Sequence, residues 1–138
     1  MYAVMAGAAG ACVALFLLHS ARIPVGSASP TQLLYGASVG PIIEEVIFRG
    51  AAFSVIYVTA CLSRLLAHWR IGLSIVVSSL LFVWCHTRVI GIPWMVIFSM
   101  GVAYALLRWR TNSAATSALM HATYNGVIAI AMIHAPGV

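Results

Sequence analysis

The chain has no lysine and no aspartate, and its acidic side chains number two, Glu44 and Glu45. Charged residues make up 7% of the 138 positions against 63% hydrophobic ones, with a mean hydropathy of +1.06. A soluble domain carries about 25% charged residues, so this scarcity excludes one and marks an integral membrane protein. Without lysine, arginine supplies the whole +5 formal charge. Apart from Arg49, the arginines stand singly or in pairs at the ends of apolar runs, where they follow lipid phosphates and membrane orientation. They form no basic stripe, which excludes nucleic acid as a partner. Cysteine is scarce and odd in number: Cys12, Cys61 and Cys85 lie far apart in apolar runs. They are expected to be small buried residues rather than disulfides or a metal cage.

What is present in quantity is apolar sequence. At roughly 20 residues per crossing, positions 1–138 form one membrane domain with room for about five spans. The expected fold is therefore all-α, a polytopic transmembrane helix bundle. The first run, Met1 to Leu18, has no positive charge before it and outlasts a signal-peptide core, so it reads as a retained span. Its Gly7, Ala8, Gly10, Ala11 and Ala14 offer a face for close helix contact. Ile23 to Pro30 forms a linker. The second run, Thr31 to Leu66, would be about 54 Å long as one helix, far beyond a hydrocarbon core of about 30 Å. It has to tilt, bend or break, with Gly36, Gly40 and Pro41 as the places. A kink there frees a backbone carbonyl that protein or water must satisfy. Three further spans are expected: Ile71 to Val89, Met95 to Leu107 between Trp94 and Trp109, and Ala114 to Ile133. Arg64, Arg70, Arg108 and Arg110 then share one side against Arg22 and Arg88, which places the N-terminus in the cytoplasm by the positive-inside rule.

Both carboxylates and Arg49 sit inside one apolar stretch, Pro41 to Gly50. Each such charge at the centre of a membrane helix costs about 2.5–3.5 kcal/mol on insertion scales, so the group demands a reason. Glu45 and Arg49 are four apart and can pair on one face as a structural ion pair, whereas Glu44 points about 100° away and is left uncommitted. The other polar groups within spans are His86, one turn after Phe82, and His121 with Asn125, four apart on one face. Taken singly, each histidine reads as a packed helix contact and Asn125 as interhelical glue. Depth weakens that reading. At 1.5 Å per residue Glu44 and His86 lie about 35 Å and about 24 Å from the loop that joins their helices, both toward the far side. His121 falls about 10 Å short of His86 by the same arithmetic, a gap that tilt of the last helix would have to close. His19, His68 and His134 sit at span ends and need no special role.

The three patterns E-E-x-x-x-R at Glu44, Glu45 and Arg49, F-x-x-x-H at Phe82 and His86, and H-x-x-x-N at His121 and Asn125 resemble the motifs of a known family. It is the CAAX prenyl protease and bacteriocin-processing family of intramembrane endopeptidases, also called type II CAAX or Abi proteins. The resemblance covers about positions 40–133. It implies that Glu44 is the catalytic base, His86 its partner in activating water, and His121 and Asn125 the donors to the oxyanion. Glu45, Arg49 and Phe82 would support them. It also implies metal-independent catalysis with no cofactor, and a peptide or protein substrate, prenylated or membrane-embedded, reached from the lipid bilayer. Elementary chemistry agrees, because water attacking an amide needs a base and the developing oxyanion needs fixed donors. Two other readings of the residues stand beside it. Glu44, His86 and His121 form a His₂Glu set that would suit catalytic zinc. A non-enzymatic immunity factor or adaptor could use the same polar cavity to hold a partner helix.

Overall fold

The long second run does not remain one helix. In the computed structural model, which describes residues 1–20, 29–86 and 91–134, it divides into α2 (Pro30–Ala37), α3 (Val39–Glu45), a π-helical segment (Val46–Ala52) and α4 (Phe53–Leu62). Ser29 starts α2 with a capping box, its hydroxyl accepting from the Gln32 amide while the Gln32 side chain accepts from Ser29, and Pro30 follows in the first turn. The break falls at Ser38 (φ −129°, ψ −83°), three residues before the proline. Pro41 thereby lies in the first turn of α3, where an amide hydrogen has no intrahelical acceptor to lose. Gly40 permits the bend, since a Cβ there would lie 3.2 Å from the Tyr35 carbonyl oxygen.

In the π segment the hydrogen bonds widen from i→i−4 to i→i−5, and the Phe53 amide donates to the Phe48 carbonyl. Returning to the α register leaves one carbonyl over. That of Arg49 accepts from Nε of Arg108, 3.2 Å away on another helix.

The remaining elements are α1 (Tyr2–Ser20), α5 (Ala67–Trp84), α6 (Ile92–Thr111) and α7 (Ala114–His134). The α1, α2–α4, α5 and α7 stretches are long and apolar enough to cross a membrane. The fifth rod, α6, carries Arg108 and Arg110 in its last turn. The chain is a helical membrane bundle, with no strand among the described residues. The turn expected at Arg64 to Arg70 is shorter than its polar sequence suggests: α4 stops at Leu62, and His68, Trp69 and Arg70 already belong to the first turn of α5. Arg64 (φ 55°) and Asn112 (φ 51°) take the left-handed conformations that end α4 and α6. The expected linker core, together with Arg22 and Arg88 on which the charge count relies, lies outside the described residues.

Packing places α7 against α1, α2, α3 and α6, while α5 sits between α4 and α6. Phe48, Phe82, Tyr104 and Met120 make one buried cluster and Phe53, Ile75 and Ala105 another. Ser74, Ser78 and Ser79 form a fully buried stripe on α5, each hydroxyl turned back onto a carbonyl of its own helix. The bulky apolar side chains Ile42, Val46, Trp84 and Ile133 face outward, as befits a bundle solvated by lipid. The same logic corrects the expectation for cysteine. Cys12 and Cys85 are exposed and only Cys61 is partly covered, because a small apolar residue is as well accommodated by lipid as by the core.

The α1–α7 contact depends on one small residue. A Cβ on Gly7 would lie 2.4 Å from the Met120 carbonyl oxygen, whereas one on Gly36 would meet nothing within 4 Å. Gly7→Val should therefore lose about 1–3 kcal/mol, the range for overpacking, and lower the thermal midpoint in detergent. Gly36→Ala should stay within about 0.5 kcal/mol of the parent. Equal midpoints for the two variants would remove the assigned contact.

Candidate active site

Glu45 and Arg49 are both fully buried, with Arg49 Nη1 3.3 Å from Glu45 Oε1 across one turn of the α3–π junction. Two charges removed from water need more than each other. Arg49 Nη2 donates to the carbonyl of Gly101 on α6 at 2.8 Å, and its guanidinium lies 4.3 Å from the Phe82 ring centroid and 5.4 Å from that of Tyr104. The ring faces supply a negative quadrupole to the cation. Gly101 leaves room for this approach, since a Cβ there would come within 3.2 Å of Arg49 Nη2 and 3.3 Å of Phe82 Cδ1 and crowd both.

His121 reaches the same carboxylate from α7, its Nδ1 3.1 Å from Glu45 Oε1. An ionised carboxylate only accepts, so Nδ1 carries the hydrogen of that bond. The other ring nitrogen, Nε2, is thereby turned toward Glu44, with Oε2 3.9 Å away. Tyr104 of α6 lies almost parallel to the imidazole, centroids 4.6 Å apart and planes 22° apart, and fixes its tilt from the other side. Glu44 differs from its neighbour: its side chain is 37% exposed, open to the cavity rather than sealed in the bundle.

His86 follows the C-terminus of α5. Its Nδ1 lies 2.8 Å from the Phe82 carbonyl oxygen one turn back. A carbonyl cannot donate, so Nδ1 carries the hydrogen and the neutral ring keeps its lone pair on Nε2. Phe82 connects the two imidazoles, its centroid 4.8 Å from His86 and 5.6 Å from His121. Both imidazoles thus pack against the same aromatic ring. Asn125, one turn beyond His121, donates through Nδ2 to the Gly36 carbonyl at 2.7 Å. This satisfies a carbonyl exposed by the helix break and ties α2 to α7, while the second hydrogen of Nδ2 is left available.

Glu44, His86, His121 and Asn125 line one cavity of about 310 Å³, with Phe82 and Tyr104 in its wall. Its apolar side, from Val96, Ile97, Met100 and Ile128, suits an apolar chain lying beside the polar groups. Glu45 and Arg49 stand behind the wall. Among the described residues no three His, Cys, Asp or Glu side chains converge as a metal site. Sequence reasoning missed Tyr104, which is buried with its hydroxyl unpartnered, and missed Gly101. Neither is charged, and α6 carries no charged side chain at its centre; the G-x-x-Y spacing that puts them on one face was the available signal.

The class defined by this fold and cavity is a polytopic helical membrane protein that gathers a carboxylate, two imidazoles and a carboxamide around one cavity. A family model for Rce1-like type II CAAX prenyl endopeptidases matches residues 26–127, and the chain belongs to that family. It is 30% identical over 101 residues to the membrane-embedded CAAX protease MroQ of Staphylococcus aureus (strain USA300), an alignment covering 73% of this chain and 39% of that relative. The chain thus spans about two fifths of the length of the curated relative it matches. No solved structure matches it.

Removing the guanidinium strands Glu45 in the bundle, so Arg49→Ala should cost about 3–5 kcal/mol and reduce the yield of folded, monodisperse protein in detergent. Thermal unfolding measures it. A variant as stable as the parent that loses only activity would move Arg49 from the scaffold to the reacting groups.

Proposed function

We propose that the protein is an intramembrane endopeptidase of the glutamic type. The observation that carries this reading is the single cavity that receives Glu44, His86, His121 and Asn125 while Glu45 and Arg49 are withdrawn into the wall. A water in that cavity would give its proton to Glu44, the carboxylate left free by the Glu45–Arg49 pair. His86, with its Nε2 lone pair directed by the bond at Nδ1, orients the water from the other side. The oxygen attacks the scissile carbonyl, and negative charge moves to the carbonyl oxygen. His121, in its protonated form, can donate through Nε2 while Nδ1 remains on Glu45, and Asn125 offers its second amide hydrogen. Proton return from Glu44 to the departing amine completes the cleavage. The substrate class is a peptide or protein segment with an apolar or lipid-modified portion beside the scissile bond, delivered from the bilayer.

Glu44→Gln keeps shape and removes the base. It should lower cleavage of a membrane-anchored or prenylated peptide reporter by about 10²–10⁴-fold with an unchanged thermal midpoint. Asn125→Ala should lower turnover by about 10²–10³-fold and also loosen α2, so its loss is divided between chemistry and structure. Incubation with 1,10-phenanthroline should leave the parent's rate unchanged. Chelator-sensitive cleavage restored by Zn²⁺ would replace this mechanism with a zinc-dependent one on the same Glu and His residues, and a Glu44→Gln variant of full activity would remove both. Specific capture of a partner without turnover would favour the adaptor reading.

A further inference from the structure

A second cleft, of about 330 Å³, lies between α4 and the end of α6 and shares no lining residue with the first cavity. Its polar wall is Ser54, Tyr57, Arg108 and Asn112, and its apolar wall includes Phe53 and Trp109. Arg108 is half-buried there and committed on two of its three nitrogens: Nε donates to the Arg49 carbonyl, and Nη1 donates to Asn112 Oδ1 at 2.8 Å. Both acceptors are neutral. The only acidic side chains in the sequence, Glu44 and Glu45, lie at the other site, so no acidic side chain is left to balance Arg108. A half-buried cation without a counter-ion is costly, and Nη2, which has no hydrogen-bond partner among the described residues, points to where one is needed.

We propose that this cleft binds the phosphodiester headgroup of an anionic phospholipid, with Arg108 as its charge partner. Three features select a lipid over a dissolved anion. The cleft belongs to a bundle surrounded by lipid. Trp109 and Tyr57, 41% and 36% exposed, are the amphipathic aromatics that sit at headgroup level, and Arg110 lies 5.3 Å from the Trp109 centroid to add a second positive charge nearby. Finally, Phe53 and Trp109 offer an apolar wall that inorganic phosphate does not need but a glycerol backbone and the roots of acyl chains do. The same guanidinium holds the Arg49 carbonyl, so a bound headgroup would brace the π segment that carries Arg49. This site is independent of the peptidase reading.

The test uses the purified full chain in phosphatidylcholine-containing micelles, titrated with phosphatidylglycerol and followed by native mass spectrometry and thermal unfolding. The parent should retain one phosphatidylglycerol and gain thermal stability from it, with no gain from further phosphatidylcholine. Asn112→Asp supplies an internal counter-ion, keeps the Arg108–Arg49 contact, and suits the left-handed conformation at position 112. It should weaken phosphatidylglycerol binding at least about fivefold, the factor for one basic residue at an anionic surface, without destabilising the protein. Arg108→Gln should weaken binding as much. Parent-like affinity in Asn112→Asp, equal retention of phosphatidylcholine, or the full stability gain from inorganic phosphate alone would each overturn the assignment.

Discussion

One carboxylate and one guanidinium, Glu45 and Arg49, buried in a bundle that lipid surrounds set the terms for everything packed near them. Both are fully buried, so neighbouring groups supply a dipole, ring faces and a hydrogen to the pair. Gly101 gives a carbonyl because it lacks a side chain, Phe82 and Tyr104 give their faces, and His121 gives Nδ1. These groups come from three helices other than the one that bears the pair. The cost of burying the charges is thus converted into interhelical order, and the order places Glu44 and His86 at one chamber.

The backbone follows the same rule. Each departure from regular helix in the long second span liberates a carbonyl, and a side chain from another helix takes it: Asn125 the one at Gly36, Arg108 the one at Arg49. Irregular backbone survives at membrane depth because it is enclosed by protein and supplied with donors. The first of these donors also lines the cavity, so the amide that stabilises the break is exposed to whatever the cavity holds.

The helical bundle was readable in composition, because apolar runs of span length with arginine at their ends have few other solutions. The break before the carboxylates was readable too, since a run ending at Leu66 exceeds any bilayer and Pro41 marks where it yields. Its position at Ser38 follows from the proline's tolerance of a first turn, a detail of capping rather than of hydropathy. The gathering of Glu44, His86, His121 and Asn125 was approachable through helical spacing and the three motifs. Depth counted along straight helices did not reveal that His86 and His121 both pack against Phe82, with centroids 4.8 Å and 5.6 Å from its ring. The π segment left no mark in residue pattern, being a change of hydrogen-bond register among apolar side chains. The outward Cys12 and Cys85 were misread because in lipid a small apolar side chain gains nothing by being inside.

The π segment uncouples the length of the span from its direction. It acts as one residue inserted into an otherwise regular helix, and excising a residue between Val46 and Ala52 would let i→i−4 bonding run straight through. The span would still cross the membrane, and because the wider π turns spend about seven residues on the rotation of about six α residues, the parts before and after the excision would keep nearly their present faces. Glu44 and Glu45 would then stay on the His121 side while Phe53 and the rest of α4 kept their packing. The same excision within α4, beyond Phe53, would turn only the stretch toward Leu62 and leave the chamber whole. Tolerance to changes in length along this span is therefore set by register, residue by residue, and not by how apolar the surrounding sequence is.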